Sequence, residues 1–313
     1  MKINRNRLHR QLKRTTYHSD TTAMIVDRIV ADFRVRGKER RPPRIGAWNI
    51  GRCVRALWYG EHGYPAEEFQ ARALMVFDLG DRVEDAILAF LEAAKIPNIR
   101  TNESRDLVHM PELGCRVRAD FFFQWDLGTS LWAERELGEM IYVPSDERLP
   151  KPGDIVVGEI KSMSDYAFAR AQRGDIDSAY LAQVECYMRA YNCRHALIIA
   201  YRKETSHLAE ILIGRDDARW AVCIENAMQA RAKEPPARPF ALEERCEDCE
   251  GTGLTAVRKS PHKACVGTGK IPGGPYIPNF PCGYCAFKKP CWGSLELTFR
   301  NGHPRWRLKD DTL

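Results

Sequence analysis

Ile155-Val156-Val157-Gly158-Glu159-Ile160-Lys161 is the stretch on which the reading of this chain turns. Its β-branched residues predict a strand over 155–160. On a strand, side chains two residues apart share a face, so Glu159 and Lys161 project together, a hard carboxylate ligand beside an ammonium. That pairing suits hydrolysis of a phosphodiester. Carboxylates can hold a divalent ion that lowers the pKa of bound water and offsets charge on the scissile phosphate, while a lysine orients the water or steadies the developing charge. A Glu-x-Lys triplet alone arises often on solvated strand faces, so its surroundings carry the argument.

Upstream, Arg118-Ala119-Asp120-Phe121 puts a second carboxylate in a segment, 116–123, that also reads as strand. Asp120 lies 39 residues before Glu159, and the polar, proline-containing stretch 128–153 between them reads as an insertion. Asp154 competes for the same role. Its five-residue offset would turn it to the opposite face of a regular strand, which favours Asp120. Further upstream, Gly80 and Glu84 lie in an amphipathic stretch, 69–94, predicted as helix. Downstream, 178–192 reads as helix, 195–201 and 208–213 as strands, and 216–233 as another helix. In the first of these helices Gln183 and Tyr187 stand at i, i+4 on one face, where they can meet a DNA backbone or the edge of the site; a core helix explains Tyr187 equally well. The expected fold is α/β, a mixed central β-sheet flanked by helices.

The chain has eleven cysteines. In a reducing compartment, clustered thiols read as metal ligands rather than disulfides. Cys282, Cys285 and Cys291 form a C-x2-C-x5-C set, and Cys53, in Gly51-Arg52-Cys53-Val54-Arg55, is the distant cysteine in a motif-like setting. Four thiolates suit a 4Fe-4S cluster or tetrahedral zinc, and ligand type does not choose between them. A second set repeats at sixteen residues: Cys246 and Cys249 precede one Gly-Thr-Gly turn, His262 and Cys265 another. Three thiolates and an imidazole make a closed zinc site. Cys115, Cys186, Cys193 and Cys223 fall in apolar contexts and read as buried thiols.

The order Gly-x-x-x-Glu, Asp, Glu-x-Lys, Gln-x-x-x-Tyr resembles the RecB-like branch of the PD-(D/E)XK nucleases, whose fold is restriction-endonuclease-like. That branch often has His where Glu84 stands, and a glutamate there is similar to lambda-exonuclease-like members. The resemblance implies a nuclease that hydrolyses DNA with Mg or Mn held by Glu84, Asp120 and Glu159, with Lys161 orienting water and Gln183 and Tyr187 as substrate-facing supports. A lone cysteine before these motifs and C-x2-C-x5-C after them is similar to the iron-sulfur staple of AddB and the CRISPR-associated adaptation nucleases, over about residues 46 to 293. It implies a structural 4Fe-4S cluster on Cys53, Cys282, Cys285 and Cys291, and favours an exonuclease of phage type. The paired knuckles resemble the zinc units of DnaJ, with His262 in place of a cysteine. The rival reading is a catalytically silent DNA-binding or assembly module, and RNA is an alternative substrate because the phosphate chemistry is shared.

Of 313 residues, 44% are apolar, enough for one good core with a smaller appendage. The net charge of +6 is uneven: residues 1–45 hold thirteen Lys and Arg against four Asp and Glu, +9, leaving 35 against 38, −3, in the rest. The basic start can follow a phosphate backbone or be a solvated tail. No run approaches the length of a membrane span, and the expected setting is the cytoplasm, a host cytoplasm if phage-encoded, with DNA as partner and a recombination, repair or replication protein as a second. The expected organisation is a basic segment at 1–45, a nuclease core at 46–240, a zinc-binding insertion at 241–275 and an iron-sulfur segment at 276–313 that closes onto Cys53.

Overall fold

The computed structural model describes residues 28–33, 35, 44–68, 71–94, 96, 99–101, 107–125, 138–143, 149–241, 277, 282–300 and 303–309. The zinc motif at Cys246, Cys249, His262 and Cys265 and the basic run 1–27 lie outside them. The chain divides into one unit of residues 1–41 with 68–79 and another of 42–67 with 80–313. In the first, the described residues 28–33, 35 and 71–79 are helical. The second holds the sheet.

Its elements in order are α1 (Val54–Glu61), α2 (Ala71–Ala93, which begins in the first unit), β1 (Val108–Met110), β2 (Cys115–Val117), β3 (Phe121–Gln124), β4 (Gly138–Val143), β5 (Ile155–Met163), α3 (Asp165–Gln172), α4 (Ser178–Ala190), β6 (His195–Arg202), β7 (Leu208–Gly214) and α5 (Asp217–Arg231). A 3-10 turn (Cys282–Tyr284), α6 (Lys288–Trp292), β8 (Leu295–Arg300) and β9 (His303–Leu308) follow. The central sheet has the order β3-β5-β6-β7-β4. β3 runs antiparallel to β5, β5 parallel to β6, β6 antiparallel to β7 and β7 parallel to β4. This mixed sheet flanked by helices is a restriction-endonuclease-like α/β fold.

Both faces of the sheet are covered. Val157, Met163, Ala196, Ile198, Ala200, Ile211 and Ile213 share one cluster with residues of α4 and α5. Val156, Ile160, Leu197, Ile199 and Leu212 share the other with Ile87 and Leu88 of α2. Two buried faces explain why β6 is apolar from Ala196 to Ala200 instead of alternating with polar residues. Helix starts are fixed locally. Asp177 Oδ1 accepts Ala179 N–H at 2.8 Å to begin α4, and Asp216 Oδ1 accepts Ala218 N–H at 2.8 Å to begin α5.

The structure departs from the sequence-based expectation at two places. Segment 116–123 is two strands in different sheets: β2 pairs with β1, β3 with β5, and the chain turns at Arg118–Asp120. The stretch 128–153 is also more than an insertion, because it supplies β4, an edge strand of the central sheet itself.

Gly158 shows how tightly β3 and β5 meet. It lies opposite Phe121 in the register, and a Cβ at position 158 would run into the Phe121 ring. Phe121 is itself packed against Phe123, with ring centroids 6.1 Å apart. Gly158→Ala is therefore expected to cost about 1–3 kcal/mol in urea unfolding, by forcing the ring off its rotamer. A cost below about 0.5 kcal/mol would mean that the ring has room to move.

Candidate active site

β5 presents Glu159 and Lys161 on the α4 side of the sheet. Lys161 Nζ donates to Glu159 Oε1, and Gln183 Nε2 of α4 donates to the same oxygen at 2.9 Å. The Gln183 amide also bonds Tyr187 Oη at 2.7 Å. Three polar residues on two elements thus converge on one buried carboxylate. Its other oxygen, Oε2, is buried without a hydrogen-bond partner among the described residues. A carboxylate oxygen in that condition is costly unless a cation or donor joins it.

Asp120 reaches the same place from the other side of the β3–β5 pair. Its N–H bonds Gly158 O at 3.0 Å, and its Oδ2 accepts Ile160 N–H at 2.7 Å. Burial, then the charge of Glu159, then that of Glu84 on α2, push the Asp120 carboxyl well above the usual carboxylate range. The backbone bond from Ile160 and the nearby Lys161 only partly offset this. Burial and the neighbouring Glu159 and Asp120 also drive the Tyr187 phenol well above its ordinary value, so it stays a neutral hydroxyl. Burial favours neutral Lys161, but Glu159 and Asp120 outweigh it and hold the amine above its usual range, so it is an ammonium. The competing Asp154 sits in a turn, accepting Lys151 N–H at 2.8 Å.

Donor chemistry fits a hard divalent cation, because a buried acid whose ionisation the neighbouring acids oppose is one that a cation would relieve. Among the described residues, no three His, Cys, Asp or Glu side chains already stand at the spacing of a single-ion site.

The four cysteines Cys53, Cys282, Cys285 and Cys291 come into each other's electrostatic range. Burial raises the Cys53 thiol, with Cys291 adding to it. Burial likewise pushes Cys282 to about 11 and Cys285 to about 11, with the other cysteines contributing. α1 is anchored to the C-terminal turn that carries three of them. Tyr59 Oη donates to Pro290 O at 2.9 Å, the Tyr59 and Phe287 rings stack at 5.9 Å, and Arg238 clasps Cys291 O at 2.7 and 3.0 Å. Cys282 is buried and Cys53, Cys285 and Cys291 are half-buried, and a set of thiols gathered in this way fits a thiolate-bound iron-sulfur group, whose positive charge would favour the thiolates. Cys115, Cys186, Cys193 and Cys223 are all buried.

Two residues escaped the sequence reading. Tyr180 lies one turn before Gln183 on α4, and Lys161 Nζ stands 5.2 Å from its ring centroid. Its i, i+3, i+7 relation to Gln183 and Tyr187 was the available signal. Glu185, fully buried, accepts from Arg189 Nε at 2.8 Å and Asp216 N–H at 3.0 Å, and pairs with Arg219 at 3.3 Å. It braces α4 against α5 and faces away from the carboxylate cluster.

A restriction-endonuclease-like sheet with Asp120, Glu159 and Lys161 gathered across the β3–β5 pair is the class that fold and site define. By sequence, no protein family and no curated protein matches the chain. Among solved structures it is similar to the crystal structure of SSO0001, at 12% identity and TM-score 0.44 over 87% of this chain and 98% of that one. It is also similar to LHK-Exo in complex with dAMP, at 15% identity and TM-score 0.36 over 56% and 75%. No described helix is long and apolar enough to cross a membrane.

Proposed function

We propose that the chain is a Mg- or Mn-dependent deoxyribonuclease of the PD-(D/E)XK class, RecB-like, acting as an exonuclease. The observation that carries this is the buried Glu159, with one oxygen held by Lys161 and Gln183 and the other without a hydrogen-bond partner among the described residues, beside an Asp120 whose ionisation is opposed by its surroundings. A divalent ion on Glu159, Asp120 and Glu84 would activate water and neutralise phosphate charge. The remaining work falls to the chain. Lys161 offers a positive charge to the phosphate as its charge grows, Gln183 fixes the Glu159 rotamer, and neutral Tyr187 fixes Gln183 in turn. End-labelled single- and double-stranded DNA incubated with Mg, Mn or EDTA tests the reading. Metal-dependent release of labelled product is expected; binding without cleavage of any DNA form would make the chain a silent DNA-binding module.

Ionisation of Asp120 gives a pH signature. Its folded pKa is raised, so its contribution to stability is fully present below the unfolded value and is lost as pH climbs through the folded one. A cation bound there favours the ionised form. The rise in Tm on adding Mg or Mn should therefore grow with pH above the ordinary carboxylate range, and a shift independent of pH would count against Asp120 as a ligand.

For Cys53, Cys282, Cys285 and Cys291 we propose a structural 4Fe-4S cluster, and for Cys246, Cys249, His262 and Cys265 a zinc ion. Closing the long loop from residue 53 to 291 restricts the unfolded chain, so the cluster would stabilise the domain. Anaerobically purified protein is expected to be brown, with iron and sulfide that fall away in Cys53→Ala or Cys291→Ala while zinc is kept. A colourless protein carrying only zinc contradicts the cluster.

A further inference from the structure

Met163 follows Glu159 and Lys161 on the same face of β5, two residues past the lysine, about 6–7 Å along the strand. There a cleft of about 50 Å³ opens between α3 and the first turn of α4. Met163, Ala167, Ala171 and Ile176 line its apolar part, Arg170, Asp175 and Asp177 its charged part, and Tyr180, the residue whose ring lies under the Lys161 ammonium, forms part of its wall. The cleft therefore shares a residue with the proposed catalytic cluster. Beside it, Tyr166 is 73% exposed, with the Arg170 guanidinium 5.9 Å from its ring centroid.

Charge at the cleft is already committed. Arg170 is held by Asp175 through Nε at 2.6 Å and Nη2 at 2.7 Å, and Asp177 caps α4. An apolar floor, an aromatic wall and a neutralised arginine suit a flat, uncharged group with a π-face and do not suit a phosphate.

We propose that this cleft is a nucleobase subsite, seating the base next to the scissile phosphate across its mouth against Tyr180, displacing the few waters it has room for. The assignment rests on the nuclease reading and adds to it a substrate form. A base stacks on the Tyr180 ring only through a face that no neighbouring base covers, so it reaches the cleft only after leaving its stack. The strand being cut must be unpaired at that position.

The test uses single-stranded oligonucleotides in which one abasic site is moved, position by position, past the bond that is cleaved. With wild-type protein, kcat/KM should fall about five- to a hundredfold when the abasic site occupies the nucleotide flanking that bond, and change little when it lies several nucleotides away. Tyr180→Leu should lose this dependence on position, while Tyr180→Phe, which keeps the ring, should retain it. A Tyr180 that merely supports Lys161 would lower every rate together and leave the dependence intact. Cleavage of intact DNA by the wild type with no dependence on abasic position overturns the subsite alone. No cleavage of intact DNA overturns the nuclease reading and the subsite with it.

Discussion

Lys161→Ala is expected to lower kcat for DNA cleavage about a hundred- to a thousandfold, with little change in DNA affinity or in Tm. The magnitude is that of removing one preorganised charge from a site where negative charge develops. Lys161 keeps about a fifth of its side chain exposed and bonds only an acid that Gln183 also bonds, so its loss leaves Glu159 with a donor. That separates two roles. Were the Lys161–Glu159 pair a buried structural ion pair, cutting it would cost stability first, since an uncompensated buried charge is expensive. Thermal melts and single-turnover rates on the same preparations discriminate: an unchanged melt with a lost rate supports catalysis, and a lowered melt with a retained rate supports a structural pair.

Glu185→Ala should have the largest effect on stability, about 3–5 kcal/mol in urea unfolding. Glu185 is fully buried, and its removal takes the buried partner from Arg189 and Arg219, which are 18% and 14% exposed, leaving Arg189 only the exposed Asp217 and Arg219 only Asp216 and Gly214 O, and leaves the Asp216 N–H without its acceptor. Burial nevertheless raises the Glu185 carboxyl in spite of the two arginines, so its negative charge is tolerated and not favoured. Glu185→Gln, which keeps an acceptor for Asp216 N–H, should therefore cost much less than the alanine change. Equal losses in the two variants would show that the charge itself holds α4 against α5.

The elements visible in the sequence were those whose apolar pattern is dictated by two covered faces or by one helical stripe. β5, β6, β7, α4 and α5 fall where the periodicity of 155–160, 195–201, 208–213, 178–192 and 216–233 places them, although β5 continues to Met163. β4 was hidden because it is an edge strand that joins the sheet through a parallel pairing with β7, far from its neighbours in sequence. α3 was hidden by its brevity, and its start depends on a Ser164 cap that accepts Ala167 N–H. In β9, His303 and Pro304 and the charged residues that follow obscure a hairpin strand.

Within the site, the nearness of Glu159, Lys161 and Gln183 follows from strand alternation and helical spacing on elements adjacent in sequence. The placement of Asp120 beside Glu159, 39 residues on, depends on the register between β3 and β5, which only its order along the chain suggested. Tyr180 and Glu185 were not legible, because each has its meaning from which face of α4 meets which neighbour. Gly51 illustrates this: a Cβ there would stand 2.6 Å from Ala182 Cβ and 2.8 Å from Ala179 Cα, so the turn before α1 presses directly on the helix that carries Tyr180 and Gln183. No local pattern announces such a contact.

The central claim is that Asp120 and Glu159 hold a divalent ion for phosphodiester hydrolysis while Lys161 acts on the phosphate. The most direct measurement is the rate of cleavage of one end-labelled DNA by wild type, Glu159→Ala and Lys161→Ala as Mn is raised from none to excess. The account predicts no wild-type cleavage without metal, partial recovery of Glu159→Ala at high Mn, and no recovery of Lys161→Ala at any concentration. Full activity in Lys161→Ala, or a wild type inert towards every DNA form at every Mn concentration, would contradict it.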